Sequence, residues 1–244
     1  GKEPIPKKVY FTGGERIEYK VHYGFITAGE VVVTIDTSLH EVYNQVCYKA
    51  DVVGQTVGAV GLFANIVDKW TSYIDTSSLL SHKFVRDQKE NNYTLNEITE
   101  FDRKENVVLV TRKKDDNSFE LKGYNIKAGV QDMVSTYFEL RNYDFDKLEK
   151  NQLLYINMFL EDTTLAIKIK YLGKEKVKTK IGKLKAFVFT PVLPETKNTI
   201  FAKEDPVKAW ISDDAFRIPV KIKANTKFGA VEVDITEYKK PLKR

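Results

Sequence analysis

Apolar residues recur at helical spacing in one stretch of the chain, residues 129–141. Five of them fall at positions i, i+3, i+4, i+7 and i+8, on one face of an α-helix: Val130, Met133, Val134, Tyr137 and Phe138. Asp132 suits the first turn as a cap, and the cation of Arg141 suits the last turn. The pattern therefore predicts one amphipathic helix near the middle of the chain.

Elsewhere apolar and polar residues alternate with period two, which predicts β-strands. Before the helix the predicted strands cover residues 15–23, 29–35, 42–53, 66–75, 79–88, 93–102, 107–112 and 119–124. After the helix they cover residues 153–160, 165–171, 183–192, 207–212, 217–225 and 230–238. Short strands about ten residues apart are typical of an antiparallel meander.

The two β-blocks resemble each other around the chain's two tryptophans. In the first block Phe63-Ala64-Asn65 leads to a strand that bears Trp70 and turns at Asp75. In the second block Phe201-Ala202-Lys203 leads to a strand that bears Trp210 and turns at Asp214. A duplicated meander explains this match, and the shared periodic composition of β-strands explains it equally well.

These elements predict a mainly β (α+β) fold, a strongly bent antiparallel sheet or open barrel built from two similar meanders. One principal amphipathic helix packs on the concave side of this sheet. We expect an extended lead-in over residues 1–13 and a single β-rich domain over residues 14–240. Within this domain, the first meander covers 14–125, the central helix 129–146 and the second meander 153–240.

Composition narrows the function classes only slightly. The 244 residues are 42% hydrophobic, which is enough to fill a core. The 39 basic residues, mostly lysine, are interleaved with 34 acidic ones, and this mild excess does not favour nucleic-acid binding. Cys47 is the only cysteine, so an intrachain disulfide is excluded, and no apolar run reaches the roughly 20 residues of a transmembrane helix.

Three segments resemble a family of exported Gram-negative bacterial proteins that is known only as a domain of unknown function. They are Gly14-Glu15-Arg16-Ile17-Glu18-Tyr19 with Tyr23-Gly24 and Ala28-Gly29-Glu30, then Asp132 through Arg141, and Val207 through Asp214 with Arg217-Ile218-Pro219-Val220. The resemblance implies a location in the periplasm or cell envelope after removal of a signal peptide, in keeping with a chain that starts at Gly1. It implies no catalytic residues. By layout alone, the bent sheet is also similar to periplasmic lipoprotein carriers.

The residues that usually carry chemistry form no recognisable constellation. The histidines His22, His40 and His82 lack partners at metal-ligand spacing, and Cys47 alternates like a buried strand residue. Ser135 lacks a nucleophile elbow, and the glycines match no nucleotide-binding pattern. We therefore predict no enzyme activity, no metal and no cofactor; an enzyme would need a histidine or cysteine converging with a carboxylate in a cleft.

A lysine-rich run has two interpretations. It comprises Lys168, Lys170, Lys174, Lys176, Lys178, Lys180, Lys183 and Lys185. Alternation along strands places many of these cations on one face, where they suit the head groups of an anionic membrane surface. Lysines also protect an exposed edge strand from aggregation, and this second interpretation is favoured.

The glycine-rich apolar segment 57–63 is either a plug of the core or a mobile lid over an apolar cavity. As a lid, it predicts a ligand site between sheet and helix lined by Leu62, Phe63, Trp70, Met133, Tyr137 and Phe138. The predicted function is a non-catalytic cell-envelope protein that binds a lipid-like or other apolar ligand. The alternative is an interaction module with a solid core that docks onto another envelope protein. A pocket behind residues 57–63 would favour ligand binding.

Overall fold

The computed structural model describes residues 8–193 and 206–240. Its strands are Arg16–Tyr23 (β1), Ile26–Val42 (β2), Gln45–Thr56 (β3), Ile66–Asp75 (β4), Ser81–Glu90 (β5), Tyr93–Asp102 (β6), Val107–Lys113 (β7), Phe119–Asn125 (β8), Leu153–Leu160 (β9), Thr163–Thr179 (β10), Gly182–Pro191 (β11), Val207–Ser212 (β12), Pro219–Thr226 (β13) and Gly229–Lys239 (β14). The helices are Gly58–Phe63 (α1) and Met133–Arg141 (α2), and a 3₁₀ turn covers Phe145–Lys147.

All fourteen strands form one antiparallel sheet, in the spatial order β8-β7-β6-β5-β4-β3-β2-β1-β14-β13-β12-β11-β10-β9. The strand β1 joins the two blocks, because it pairs with β2 on one side and with β14 on the other. The sheet is strongly curled and barrel-like but not closed, with β8 and β9 at its two edges. The predicted fold class, a bent antiparallel sheet or open barrel with one main helix, is confirmed.

The helix α2 covers Met133–Arg141, so it begins four residues later and ends five residues earlier than the predicted central helix 129–146. Asp132 is its N-cap: the carboxylate accepts a hydrogen bond from the backbone N–H of Ser135 at 2.7 Å, and Ser135 Oγ accepts one from the Asp132 N–H at 2.9 Å. The preceding Gln131 is extended because its backbone bonds to β9, donating to Asn157 O and accepting from the Phe159 N–H, both at 2.8 Å. Pairing with an edge strand thus replaces the first helical turn.

The core lies between α2 and the sheet. Val134 and Phe138 of α2 are only 2% and 1% exposed, and the helix packs on β3, β4 and β9. Phe11, from the predicted lead-in, also belongs to this core and stacks on Phe138 with ring centroids 4.7 Å apart. A second, smaller cluster surrounds Phe145 of the 3₁₀ turn.

The two tryptophan strands share local geometry. Trp70 lies on β4 and Trp210 on β12, and both contribute to the main core. In the turns that follow, Asp75 and Asp214 each accept hydrogen bonds from two backbone N–H groups. Phe201-Ala202-Lys203 lies outside the described residues, and duplication of the meander stays a hypothesis.

Ion pairs bridge the sheet near its open seam. Arg86 of β5 donates to Glu161 Oε1 at 2.7 Å, and Arg112 of β7 donates to Asp162 Oδ2 at 2.8 Å. Both acceptors lie in the turn between β9 and β10, so the first block is tied to the second at a place where β8 and β9 do not pair. Side chains here supply a connection that backbone hydrogen bonds supply elsewhere.

The lysine-rich run lies on β10 and β11. In the described strand ladders, residues 163–168 of β10 pair only with β9, whereas residues 169–170 pair with both β9 and β11. Lys170 therefore does not lie on an exposed edge, and the edge-strand interpretation does not apply to it. Among the described residues, 173–179 pair only with β11, and 182–185 of β11 pair only with β10. The second half is therefore a two-stranded ribbon, for which lysine protection of exposed edges remains a sound explanation.

The described part of the chain contains no helix with the length and apolar character needed to cross a membrane.

Asp132 is buried, and it should make the stability of the fold depend on pH. Burial raises the pKa of its carboxyl above the ordinary value, although Ser72 and Ser135 donate hydrogen bonds to it. The folded state therefore holds this proton to a higher pH than the unfolded state, whose aspartate pKa is about 3.9. The free energy of unfolding contributed by Asp132 should fall as pH rises from about 4 through the raised pKa.

Asp132→Asn keeps the cap acceptor and removes the titrating group. We expect the variant to gain stability relative to the parent as pH rises through this window, measured by urea denaturation at a series of pH values. Asp132→Ala, which removes the cap as well, should be less stable than Asp132→Asn by about 1–2 kcal/mol at every pH, because neither variant titrates at this position. If the difference in free energy of unfolding between Asp132→Asn and the parent did not change with pH, Asp132 would not be the group that titrates.

Candidate ligand-binding site

The helix α1 connects β3 to β4 at one end of the sheet and packs beside β2. Its flanks are fixed by a hydrogen bond from the Val57 N–H to Ala28 O at 3.0 Å and one from Thr56 Oγ1 to Ala64 O at 2.6 Å. No residue of α1 is buried. Segments that bury little apolar surface open at low free-energy cost, so α1 can move without unfolding the sheet.

A pocket of about 260 Å³ lies beside α1, on the face of the sheet that carries the core. Its wall is largely apolar and comes from four neighbouring strands and from α1, through Val21, Val31, Gly54, Val60, Ile66 and Trp70. We call this cavity the α1 pocket. Its volume lies just below the roughly 300–1,000 Å³ that is common for small-molecule sites.

Register explains why these residues meet. Val31 on β2 lies opposite Gly54 on β3, which lies opposite Asp68 on β4. Because alternate residues of a strand share a face, Trp70 follows Asp68 on the same side. The absence of a side chain at Gly54 leaves open the space next to the Trp70 ring, whose nearest atom would lie 3.7 Å from an added Cβ.

Asp68 also belongs to a polar network that continues away from the pocket along the same face. Its carboxylate accepts hydrogen bonds from Gln88 Nε2 and from the Lys89 N–H, both at 3.2 Å. Gln88 accepts from Arg86 at 2.7 Å, and Arg86 lies 3.4 Å from Glu97. These polar groups are satisfied by one another, which lowers the cost of burying them.

The network carries more negative than positive charge. It contains two guanidinium groups, of Arg86 and Arg112, and four carboxylates: Asp68, Glu97, Glu161 and Asp162. Hydrogen bonds from Arg112 hold the pKa of Asp162 below its ordinary value, so this carboxylate stays ionised at neutral pH. An anionic group at the inner end of the α1 pocket would be repelled.

The six residues predicted to line a ligand site are not brought together. Trp70 lines the α1 pocket, whereas Leu62 and Phe63 of α1 are 84% and 87% exposed and point away from it. Phe138 is buried in the core, where Met133 and Tyr137 also pack. No residue of α2 lines the α1 pocket, so the cavity lies beside the helix and not between helix and sheet. Ligand binding by these six residues stays a prediction.

A second pocket, of about 530 Å³, contains a histidine beside a carboxylate. His82 Nε2 lies 3.4 Å from Asp75 Oδ2, and Glu100 and Arg103 complete part of the wall. Cys47 pairs with Asp75 in the β3–β4 ladder but does not line this pocket, and burial, assisted by the charge of Asp75, raises the pKa of its thiol to about 11. The thiol is thus protonated at neutral pH, and we assign no catalytic role here.

Among the residues that the structure describes, histidine, cysteine, aspartate and glutamate side chains form no group of three or more able to hold a metal ion.

Comparison with known proteins relates the chain to a family and to a fold. A family model described as a protein of unknown function, DUF3108, matches residues 18–236. A β-barrel-like protein of the domain of unknown function DUF1849 from Brucella abortus superposes with a TM-score of 0.57 at 8% identity, covering 93% of this chain and 97% of that one. The likeness supports the barrel-like architecture.

Two further solved structures are less similar. One, provisionally described as an exported protein with a YmcC-like fold from Bacteroides fragilis, gives a TM-score of 0.37 at 10% identity, over 97% of this chain and 98% of that one. The other, provisionally described as a lipoprotein from Parabacteroides distasonis, gives a TM-score of 0.34 at 11% identity, over 96% of this chain and 97% of that one. A search of curated proteins finds no match.

Proposed function

The chain belongs to the DUF3108 family of proteins of unknown function, and we propose that it binds an apolar, lipid-like ligand in the α1 pocket without catalysing a reaction on it. The observation that carries this proposal is an apolar pocket at the position of residues 57–63, beside a helix with no buried residue. An apolar wall favours an apolar ligand, because binding removes apolar surface from water on both sides.

The proposed ligand is an acyl chain or a flat apolar ring whose inner end carries no negative charge. The pocket wall offers Trp70 and the aliphatic side chains of Val21, Val31, Val60 and Ile66 for contact, and the carboxylate-rich network lies beyond Asp68. A negatively charged end would therefore have to remain outside, at the mouth near α1. A small anionic metabolite, which would have to place its charge inside the pocket, is therefore not the proposed ligand.

The alternative function is that of an interaction module with a solid core. Only the packing between α2 and the sheet supports it. There Val134 and Phe138 fill the space between helix and sheet. The volume of the α1 pocket, and the absence of a buried residue from α1, favour ligand binding. We propose a location in the periplasm or cell envelope on the basis of the family resemblance.

Filling the α1 pocket should abolish ligand binding and leave the fold intact. At Gly54 an added Cβ makes only ordinary contacts, 3.7 Å from the Trp70 ring and 3.9 Å from Val31. Gly54→Leu should thus occupy the cavity. We expect its affinity for the uncharged fluorescent probe N-phenyl-1-naphthylamine to fall by at least about tenfold, or roughly 1.4 kcal/mol, in an equilibrium titration.

The matched control is Gly123→Leu, a glycine in β8 whose added Cβ would contact Leu109 at 3.5 Å, away from the pocket. It should bind the probe as the parent does, and both variants should melt within a few degrees of the parent. Extraction of the purified protein followed by mass spectrometry tests for a bound lipid. The proposal would be overturned if the parent showed no saturable binding of the probe. It would also be overturned if Gly54→Leu and Gly123→Leu bound the probe with equal affinity.

A further inference from the structure

Three neighbouring strand connections expose large apolar side chains at one end of the sheet. Phe25, between β1 and β2, is 98% exposed, and Phe228, between β13 and β14, is 79% exposed. Leu62 and Phe63 of α1 extend from the connection between β3 and β4. Single exposed apolar residues are ordinary, but several at adjacent loop tips form a patch that requires an explanation.

The three connections are adjacent in space as well as in strand order. Tyr23 donates its hydroxyl hydrogen to Phe228 O, and the Gly24 N–H bonds to Ala230 O at 3.1 Å. On the other side, the Val57 N–H that anchors α1 bonds to Ala28 O. We define the apolar rim as residues 23–29, 56–67 and 224–230.

Charged residues are almost absent from the apolar rim. Its three segments contain one, Lys227, in a chain of which 30% of residues are charged. Lysines lie close to the rim on the side of Phe25. Lys178 and Lys180, at the tip of the β10–β11 ribbon, line a depression of about 510 Å³ together with Phe25.

The acidic groups in this depression are already paired. Lys221 lies 3.0 Å from Glu232 and 3.8 Å from Asp234, and Asp234 also accepts a hydrogen bond from the Lys180 backbone N–H. The depression therefore holds three ammonium groups, of Lys178, Lys180 and Lys221, against the two carboxylates of Glu232 and Asp234, and Lys227 on the rim is exposed as well. Exposed apolar tips bordered by such cations match the boundary between acyl chains and anionic head groups.

We propose that the apolar rim docks on the surface of a bilayer that contains anionic phospholipid. Phe25, Phe228, Leu62 and Phe63 insert among the head groups, and the ribbon lysines contact lipid phosphates. A second copy of the chain is a poorer occupant, because two rims in contact would bring the same lysines together. The inference goes beyond the proposed function, although α1 belongs to both the rim and the mouth of the pocket.

Sedimentation with lipid vesicles tests the proposal on the whole protein. The parent should bind vesicles of phosphatidylcholine mixed with phosphatidylglycerol, more weakly at high salt, and should bind phosphatidylcholine vesicles much less. Phe25→Ser combined with Phe228→Ser should lower the partition coefficient by at least about tenfold, because apolar burial in the bilayer is lost. Lys178→Gln with Lys180→Gln should weaken binding and flatten its salt dependence.

The matched control changes two exposed apolar residues at the opposite end of the sheet, Leu39→Ser with Val46→Ser, which are 55% and 50% exposed in the parent. Its vesicle binding should stay within about twofold of the parent. No binding by the parent, equal losses in rim and control variants, or rim-dependent dimers without vesicle binding would overturn the proposal. Gly54→Leu should still bind vesicles, which separates a failure here from a failure of the pocket.

Discussion

Replacing Arg141 by methionine is expected to lower the free energy of unfolding by about 3–5 kcal/mol, among the largest effects of any single substitution in this chain. Arg141 is 0% exposed and Glu15, its partner, 1% exposed. The guanidinium donates to both carboxylate oxygens, at 2.6 and 2.8 Å. Removing the cation leaves a buried carboxylate without its counter-charge, and a buried unpaired charge costs far more than the intact pair contributes.

The position of Arg141 increases the cost. The same guanidinium donates to Arg217 O at 3.0 Å and to Phe216 O at 2.9 Å, in the turn between β12 and β13. Glu15 directly precedes β1, so this side chain joins the end of α2 to both blocks of the sheet. Methionine leaves these two carbonyl groups with one donor fewer, which contributes to the expected loss of stability.

Urea denaturation followed by tryptophan fluorescence measures this effect. The control is Arg16→Met, which breaks an exposed pair with Glu18 and should cost less than about 1 kcal/mol. Combining Arg141→Met with Glu15→Met should recover part of the lost stability, because it removes the stranded charge. If Arg141→Met and Arg16→Met had equal midpoints, the buried pair would not stabilise the fold.

The architecture was predictable from the sequence because its strands obey a local rule. Period-two alternation is strong in residues 15–23 and 29–35, and the structure places β1 and β2 there as a hairpin. The family resemblance, to proteins of unknown function, is also confirmed. The helix was recognisable for the same local reason, although pairing of Gln131 with β9 depends on a distant strand and shifts its start.

The candidate site was less predictable because it depends on register between strands. The glycine-rich segment allowed two interpretations, a core plug or a lid over a cavity, and the pattern could not decide between them. The direction of the side chains was not predictable either: Leu62 and Phe63 face solvent. Alternation alone predicts that Val31 and Gly54 each share a face with other members of their own strand. That these two residues lie opposite each other is fixed only by the β2–β3 ladder.

Likewise, Arg141 was understood from the sequence only as a cation suited to the helix C-terminus. Its partner, Glu15, is 126 residues away in the chain, and nothing in the local pattern connects the two. The pairing arises because β1 lies at the junction of the two blocks, where the end of α2 meets the sheet. Long-range polar pairs of this kind require the topology before they can be inferred.

Val134→Asp should lower the free energy of unfolding by more than about 4 kcal/mol and leave little folded protein, given that domains are typically stable by only about 5–15 kcal/mol. Val134 is 2% exposed and belongs to the apolar core beneath α2. The introduced carboxyl group would lose its hydration there, two residues from the buried carboxyl of Asp132, whose pKa burial already raises. A second carboxyl group in the same turn would add a further desolvation cost to that of Asp132.

The control Val134→Thr separates charge from shape, because threonine matches valine in outline and adds only a hydroxyl group. It should cost about 1–3 kcal/mol. The sign of the pH dependence gives a further check. Burial would raise the pKa of the introduced carboxyl group, so the folded state would retain its proton to a higher pH than the unfolded state, and the stability deficit should shrink as pH falls toward about 4. Circular dichroism during urea denaturation at several pH values measures the free energy of unfolding of both variants and its dependence on pH. A deficit for Val134→Asp no larger than that for Val134→Thr would mean that α2 does not seal the core.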